Sequence, residues 1–408
     1  MGKAEELTVG LDIGTTKICA IVGEIKDGAV AIAGKGMHSS RGLEKGMVVD
    51  INATVSSIRK AVEEAELMAG CEIKSVYAGI ACSHIDSKDS QGVIGIKGAE
   101  VTEEDVKRVI DAARAVAIPA DRKVLHILNH EFIVDDQPGI QNPVGMDGVR
   151  LETKIHIVTG AVTSAHNIVK CANRAGLDVC DIVLESLASG ESVLTQEEKD
   201  LGTALLDLGG GTTDLAIFHK NNIRHTFVLS LGGHNLTNDI AVGLRSPLVE
   251  AEKIKKEFGT CIADHVLGDE HIEVPGMGGR KPRKLSRQIL AEILEPRTEE
   301  IFTFIQREIY RAGMENVMAS GMVLTGGSSL LDGAIDVAES IFNLPTRLGK
   351  PMGIGGLVDV VNNPMYATGV GLVMYGAKYR SEKKFRIRDI NIFNRIINRI
   401  KRWFKDII

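Results

Sequence analysis

Two short segments, about half the chain's length apart, constrain this 408-residue sequence more than any other feature. Near the start runs Leu7-Thr-Val-Gly-Leu-Asp12-Ile-Gly14-Thr15-Thr16-Lys17-Ile-Cys-Ala-Ile-Val22, and later comes Ala204-Leu-Leu-Asp207-Leu-Gly209-Gly210-Gly211-Thr212-Thr213-Asp214-Leu-Ala-Ile-Phe218. Each is a β-rich apolar run with an Asp at its end, a Gly/Thr turn and a second β-rich run, which is the pattern of a hairpin. A duplication at this spacing is too long for a solenoid and fits a two-lobed α/β protein. The length allows roughly two to four domains and an ample core.

The turns carry chemistry as well as shape. Backbone N–H groups that point one way make an anion-binding concavity, and glycines let a phosphate approach closely. Thr hydroxyls add donors, Lys17 can reach a phosphate oxygen, and an Asp before the turn can hold Mg²⁺ through water. One such turn alone could be an ordinary glycine hairpin. Two in matching positions could clamp a single polyphosphate between two lobes. A third piece, Met322-Val-Leu-Thr-Gly326-Gly327-Ser328-Ser329-Leu330, is either a plain strand-to-helix turn or a backbone platform for adenine or phosphate. Glu252 and Lys255 sit three apart on one helix face, as a ribose grip or as a solvated ion pair.

Between and after the turns the pattern predicts a helix over 101–116 opened by a Thr102/Asp105 capping box. Extended stretches at 123–134 and 150–160 are separated by a Gly/Pro/Asn/Asp loop at 135–148, and a helix at 164–175 stops at Gly176. Strand–helix–strand–strand content over 84–162 reads as an inserted subdomain. Helices are expected at 247–258 and 286–310, the second broken or kinked at Pro296. His126, His130 and His156 fall on expected strands and read as core or surface histidines rather than metal ligands. Six scattered cysteines without a C-x-x-C pair read as reduced thiols in a cytosolic protein. No signal peptide or 18-residue apolar run is evident, and Glu6 stands where a myristoylation motif needs Ser or Thr.

Charge is unevenly placed. The net charge is −6 and the pI is near 6.0, which argues against a nucleic-acid-coating protein. Residues 383–408, however, hold a dense run of Lys and Arg against only Asp389 and Asp406. On a helical wheel Ile392, Phe393, Ile396, Ile397, Ile400, Trp403, Phe404, Ile407 and Ile408 fall in one arc of about 160–170°. Arg399 and Lys401 sit at its borders, where long side chains snorkel. Such a helix, roughly 27 Å long, suits the surface of an anionic bilayer, where each nearby cation contributes about 1 kcal/mol. Docking on the protein's own core is the other reading.

The motifs occur in the order of the actin/hexokinase/heat-shock-chaperone ATPase superfamily: a first phosphate motif (10–20), a connecting helix (Leu184-Glu185-Ser-Leu-Ala-Ser-Gly), a second phosphate motif (206–217), an adenosine motif (323–329) and a second connecting helix (Ala367-Thr-Gly-Val-Gly371). Within it the chain resembles the FtsA family of actin-like bacterial cell-division proteins. That resemblance is carried by Leu125-His-Ile-Leu-Asn-His-Glu-Phe-Ile-Val-Asp, by Asn142-Pro-Val-Gly-Met-Asp-Gly-Val-Arg-Leu-Glu152, by His156-Ile-Val-Thr-Gly160, and by Val274-Pro-Gly-Met-Gly-Gly-Arg-Lys-Pro-Arg-Lys-Leu-Ser-Arg287. It covers essentially the whole chain. It implies a two-lobed actin-like α/β ATPase fold with duplicated βββαβα-type cores, an inserted subdomain 1C and a C-terminal amphipathic helix. Subdomain 1A would comprise 1–83, 163–195 and 360–380, and 1C would be 84–162. Subdomain 2A would comprise 196–232 and 311–359, and 2B would be 233–310. A linker at 381–390 and a membrane helix at 391–408 would follow.

Carried over residue by residue, the resemblance makes Asp12 and Asp207 the Mg²⁺ carboxylates. Gly14, Thr15, Thr16, Lys17, Gly209, Gly210, Gly211, Thr212 and Thr213 would hold the phosphates of ATP, and Glu252, Lys255, Gly326, Gly327 and Ser328 the nucleoside. Glu185 would orient attacking water, although Ser186 replaces the usual Pro, so turnover is expected to be weak at most. Arg287 and Arg297 are the expected contacts for the carboxylates of the C-terminal peptide of FtsZ. Phe393, Ile396, Ile397, Arg399, Ile400, Lys401, Trp403, Phe404 and Ile407 would engage anionic lipid on the cytoplasmic side of the membrane at the septum. The implied function is a polymerising anchor for FtsZ that also meets later division proteins and binds no nucleic acid. A sugar-kinase-like phosphotransferase is the alternative. A chaperone ATPase is disfavoured, because only about 30 residues follow the last core motif.

Overall fold

A computed structural model of the chain describes residues 6–26 and 28–379; the expected linker at 381–390 and every residue assigned to the membrane helix at 391–408 lie outside the described residues. Two mixed sheets form the two lobes. In the first, the antiparallel strands Ala29–Ser39, Lys17–Lys26 and Glu6–Ile13 are followed by the parallel strands Ser75–Ile80 and Asp178–Leu184. In the second, Asn222–Leu229, Thr213–His219 and Thr203–Leu208 are followed by Met322–Thr325 and Thr346–Leu348 in the same order and sense. The duplication expected from the two turns is thus present in the strand order of the whole lobes. The central strand Thr203–Leu208 is buried at every residue, as a strand covered on both faces must be.

Helices cover the sheets where the sequence gives them caps and an apolar stripe. The helix Ile51–Ala69 starts on Asp50, whose carboxylate accepts from the backbone of Asn52 and Ala53, and its buried face (Val55, Ile58, Ala61, Val62, Ala65) packs on the first sheet. The helix Val162–Arg174 ends just before Gly176, at φ +98°, as expected.

The insertion is a four-stranded antiparallel sheet in the order Asp86–Gly95, Arg150–Ala161, Arg122–Val134, Gln137–Ile140, with the helix Glu103–Arg114 on one face. Both halves of the expected capping box are made: Thr102 Oγ1 accepts from the Asp105 N–H and Asp105 accepts from the Thr102 N–H. The segment 135–148, expected as a plain loop, contains the strand Gln137–Ile140, because Asp135 and Asp136 at positive φ turn the chain back on itself.

A second correction concerns Pro296. It neither ends nor divides its helix, which runs unbroken as Arg287–Arg311. An interior proline removes one helical hydrogen bond at a cost of about 3 kcal/mol. Here the residues on both sides are buried: Leu290 and Leu294 in the peripheral core of the second lobe, and Ile301, Phe302 and Ile305 in its central core. Tertiary packing on both sides keeps the helix continuous through the proline. Among the described residues, no helix is long and apolar enough to cross a membrane.

Candidate functional site

Each lobe presents the same turn. The strand Glu6–Ile13 delivers Asp12 and then closes with the Gly14 N–H donating to the Lys17 carbonyl at 3.0 Å; Thr203–Leu208 delivers Asp207 and closes with the Gly209 N–H donating to the Thr212 carbonyl at 2.9 Å. In hairpin register Asp12 lies opposite Cys19 and Asp207 opposite Asp214. The turns meet face to face. A Cβ built on Gly210 would stand 1.8 Å from Thr16 Oγ1, and one on Gly211 would stand 2.3 Å from Thr15 Oγ1. Because Thr15 and Thr16 occupy the positions of Gly210 and Gly211 in the other turn, the contact is reciprocal, as a two-fold relation between lobes requires. Only glycine leaves that space.

Acidic groups line the floor beneath. Asp12, Asp207 and Asp214 are each buried, and Glu185, the first residue of the connecting helix Glu185–Val193, is partly buried. One ammonium faces them: Lys17 Nζ donates to Asp12 Oδ2 at 2.6 Å. Burial alone would lower the Lys17 pKa, but Asp12, with Cys19 and Asp207, outweighs it and the pKa is raised. Burial, reinforced by Asp12, Asp214 and Asp207, pushes Glu185 well above the usual carboxylate range. Burial and the neighbouring Asp207 do the same to Asp214. Asp207 is raised by burial, against which the hydroxyls of Ser189 and Thr368 work.

Asp214 is the site residue that the sequence reading missed. Thr212 Oγ1 donates to its Oδ2 at 2.9 Å, while its buried Oδ1 has no hydrogen-bond partner. Its signal was the register of the second hairpin, which sets Asp214 opposite Asp207. Thr213, expected at the phosphates, is buried, and its hydroxyl donates to the Leu231 carbonyl at 2.8 Å.

On the nucleoside side, Ser328 Oγ donates to the Gly209 carbonyl at 2.9 Å, joining the 326–328 loop to the second turn, and a Cβ on Gly327 would meet only Met365 Cβ, at 3.9 Å. Lys255 Nζ meets the Gly233 carbonyl at 2.8 Å, Thr237 Oγ1 at 2.8 Å and Glu252 Oε2 at 2.7 Å, so three acceptors occupy its three protons. Burial draws the Lys255 pKa down; Glu252, although burial opposes it, is kept below the usual range by Lys255, Thr237 and Lys256. The pair is brought to the site with its polar capacity largely used within the lobe. Farther out, Arg287 bonds Glu270 at 2.6 Å and the Phe258 carbonyl at 2.9 Å, and Arg297 bonds Asp239 at 2.6 Å and also Glu300.

The two lobes and the insertion both find relatives. The family model described as "Cell division protein FtsA" matches residues 204–371, and that described as "SHS2 domain inserted in FTSA" matches 82–159. The cell division protein FtsA of Pseudomonas aeruginosa is 52% identical over 92% of this chain and 91% of its own. That of Neisseria meningitidis serogroup B is 44% identical over 97% of both. The chain belongs to the FtsA family. It is therefore an actin-like cell-division protein, and the phosphotransferase alternative is set aside. The family's fold has more distant kin: the type IV pilus biogenesis complex PilM–PilN aligns at TM-score 0.66 and 15% identity over 92% of this chain and 99% of that one. MreB5 of Spiroplasma citri bound to ADP aligns at TM-score 0.52 and 16% identity over 93% and 98%.

Proposed function

We propose that this FtsA-family chain binds Mg²⁺–ATP between its lobes, assembles into filaments, and ties FtsZ to the cytoplasmic face of the membrane at the septum through residues 391–408. The observation that carries the nucleotide part is the reciprocal contact of Thr15 and Thr16 with Gly211 and Gly210 over a floor of carboxylates. The residues fit the group. The donors are hard oxygens, Asp214 Oδ1 is unpartnered, and among the described residues no three acidic, His or Cys side chains converge as direct ligands, which suits an ion that keeps its waters. Asp12, Asp207 and Asp214 would hold it. When bound, the ion supplies positive charge to the phosphates and to the carboxylate floor. Lys17 is placed to exchange Asp12 for a phosphate oxygen. Glu185, biased toward its protonated form, suits slow turnover more than fast.

Filament formation makes weak tails effective, since many on one polymer bind lipid far more tightly than one does. An acidic FtsZ peptide on subdomain 2B would exchange with Glu270 at Arg287 and with Asp239 at Arg297, and the insertion would serve subunit contacts and later division proteins. The test is vesicle co-sedimentation of the full chain, of an Ile396→Glu variant and of a 1–389 truncation, with ATP and FtsZ. Pelleting of the full chain alone, carrying FtsZ with it, is expected. Equal pelleting of all three overturns the anchor, and a full chain that takes up no ATP overturns the clamp.

A further inference from the structure

The two helices that join the lobes, Glu185–Val193 and Ala367–Lys378, each send one buried hydroxyl to the same atom. Ser189 Oγ donates to Asp207 Oδ2 at 2.6 Å, Thr368 Oγ1 lies 3.1 Å from that oxygen, and the two hydroxyls are 3.1 Å from each other. Ser189 is 0% exposed and Thr368 7%. Buried hydroxyls are costly without partners, and neither of these bonds a carbonyl of its own helix. The other carboxylate oxygen looks the opposite way: a Cβ on Gly326 would lie 2.3 Å from Asp207 Oδ1, so Oδ1 faces the loop on the nucleoside side. Ser192 Oγ, placed between the Ser189 carbonyl at 3.0 Å and the Ala367 carbonyl at 2.7 Å, keeps the two helices in register.

We infer that Ser189 and Thr368 are positioning residues: together they turn the Asp207 carboxylate so that Oδ1 is offered to a metal–nucleotide, which makes metal-dependent affinity a property of the crossing of the two connecting helices. The inference rests on the reading of the cleft as a Mg²⁺–ATP clamp. Its physical content is orientation. Two donors on Oδ2 fix the rotamer of a buried carboxylate and so the direction in which Oδ1 is offered. A rotation of one lobe on the other shifts one hydroxyl relative to the other and so changes the aim of Asp207. Conversely, a ligand that needs Oδ1 where it stands favours this crossing.

The test is equilibrium binding of a fluorescent ATP analogue to the full chain, in Mg²⁺ and in EDTA, for the wild type, S189A, T368V, the double variant and the conservative T368S. The double variant is expected to lose about tenfold in affinity in Mg²⁺ and less than about twofold in EDTA, with T368S close to wild type. Should the double variant not fold, S189A alone is expected to show the same split at about threefold. Equal losses in both buffers, or none, overturn the inference, because a merely structural hydroxyl weakens both states alike. A wild type that binds no nucleotide sinks the clamp as well; a wild type with Mg²⁺-dependent affinity that the variants share sinks this inference alone.

Discussion

Gly371 of the second connecting helix rests on the carbonyl of Ala188 in the first: a Cβ added there would lie 1.8 Å from that oxygen and 2.3 Å from its carbon. The neighbour is backbone, so it cannot swing aside. Gly371→Ala must push the helices apart, and overpacking of this kind costs about 1–3 kcal/mol. The expected result is a lower denaturant midpoint with unchanged slope, together with weakened nucleotide binding, because Ser189 and Thr368 move with their helices. An unchanged midpoint would show that the crossing is looser than this contact implies.

Glu185 and Asp214 make the cleft a source of instability. In the unfolded chain their carboxyls ionise near pH 4. In the fold, burial and repulsion from the neighbouring aspartates keep them protonated to higher pH. The native state therefore holds more protons above pH 4, and their contribution to stability falls as pH rises through that window toward the raised values. E185Q and D214N are each expected to stabilise the nucleotide-free chain by about 0.5–2 kcal/mol at neutral pH. Both should also flatten the pH dependence of melting. Destabilised variants at pH 7.5 would refute the shift.

Legibility in the sequence followed range. The two turns were readable because a hairpin is a local structure: Asp12, Gly14 and Lys17 lie within six residues, as do Asp207, Gly209 and Thr212. The peripheral pairings were not. Arg297 finds Asp239 58 residues away, and Lys255 finds Gly233 22 residues away, and no periodicity encodes either. Thr213 shows the limit within a motif, since the partner of its hydroxyl is Leu231 in a neighbouring segment. The break expected at Pro296 does not occur, because local propensity says nothing of the buried residues on both sides of it.

His126 ties the insertion to the cleft side of the first lobe. The strand Asp178–Leu184 is the edge of its sheet, and its last amide, Leu184 N–H, donates to His126 Nε2 at 3.0 Å in a buried setting. Glu185 is the next residue. H126L leaves that amide unsatisfied, at about 1–3 kcal/mol, whereas in H126Q the side-chain oxygen can take the proton. Hydrogen exchange at Leu184 and Glu185 should rise in H126L and stay low in H126Q. Similar exchange in both would mean that water replaces the imidazole without cost.

The insertion also grips the second lobe, and that grip should weaken in acid. His156, on the strand Arg150–Ala161, bonds Asp89 at 2.7 Å and Thr226 Oγ1 at 3.0 Å, and Ser87 Oγ donates to the Thr226 carbonyl at 3.0 Å. Beside it His225 bonds Glu308, which Arg311 also holds, and the two imidazoles are 6.2 Å apart. Burial lowers the His225 pKa, with His156 adding to the effect and Glu308 opposing it. The unfolded chain therefore binds this proton first as pH falls below about 6.5, and stability is lost through that window. Between about pH 7.5 and pH 5.5 the strand Asn222–Leu229 should lose exchange protection before the central strand Thr203–Leu208 of the same sheet does. H225Q should remove most of that pH dependence, and an identical acid response in H225Q would place the sensitive group elsewhere.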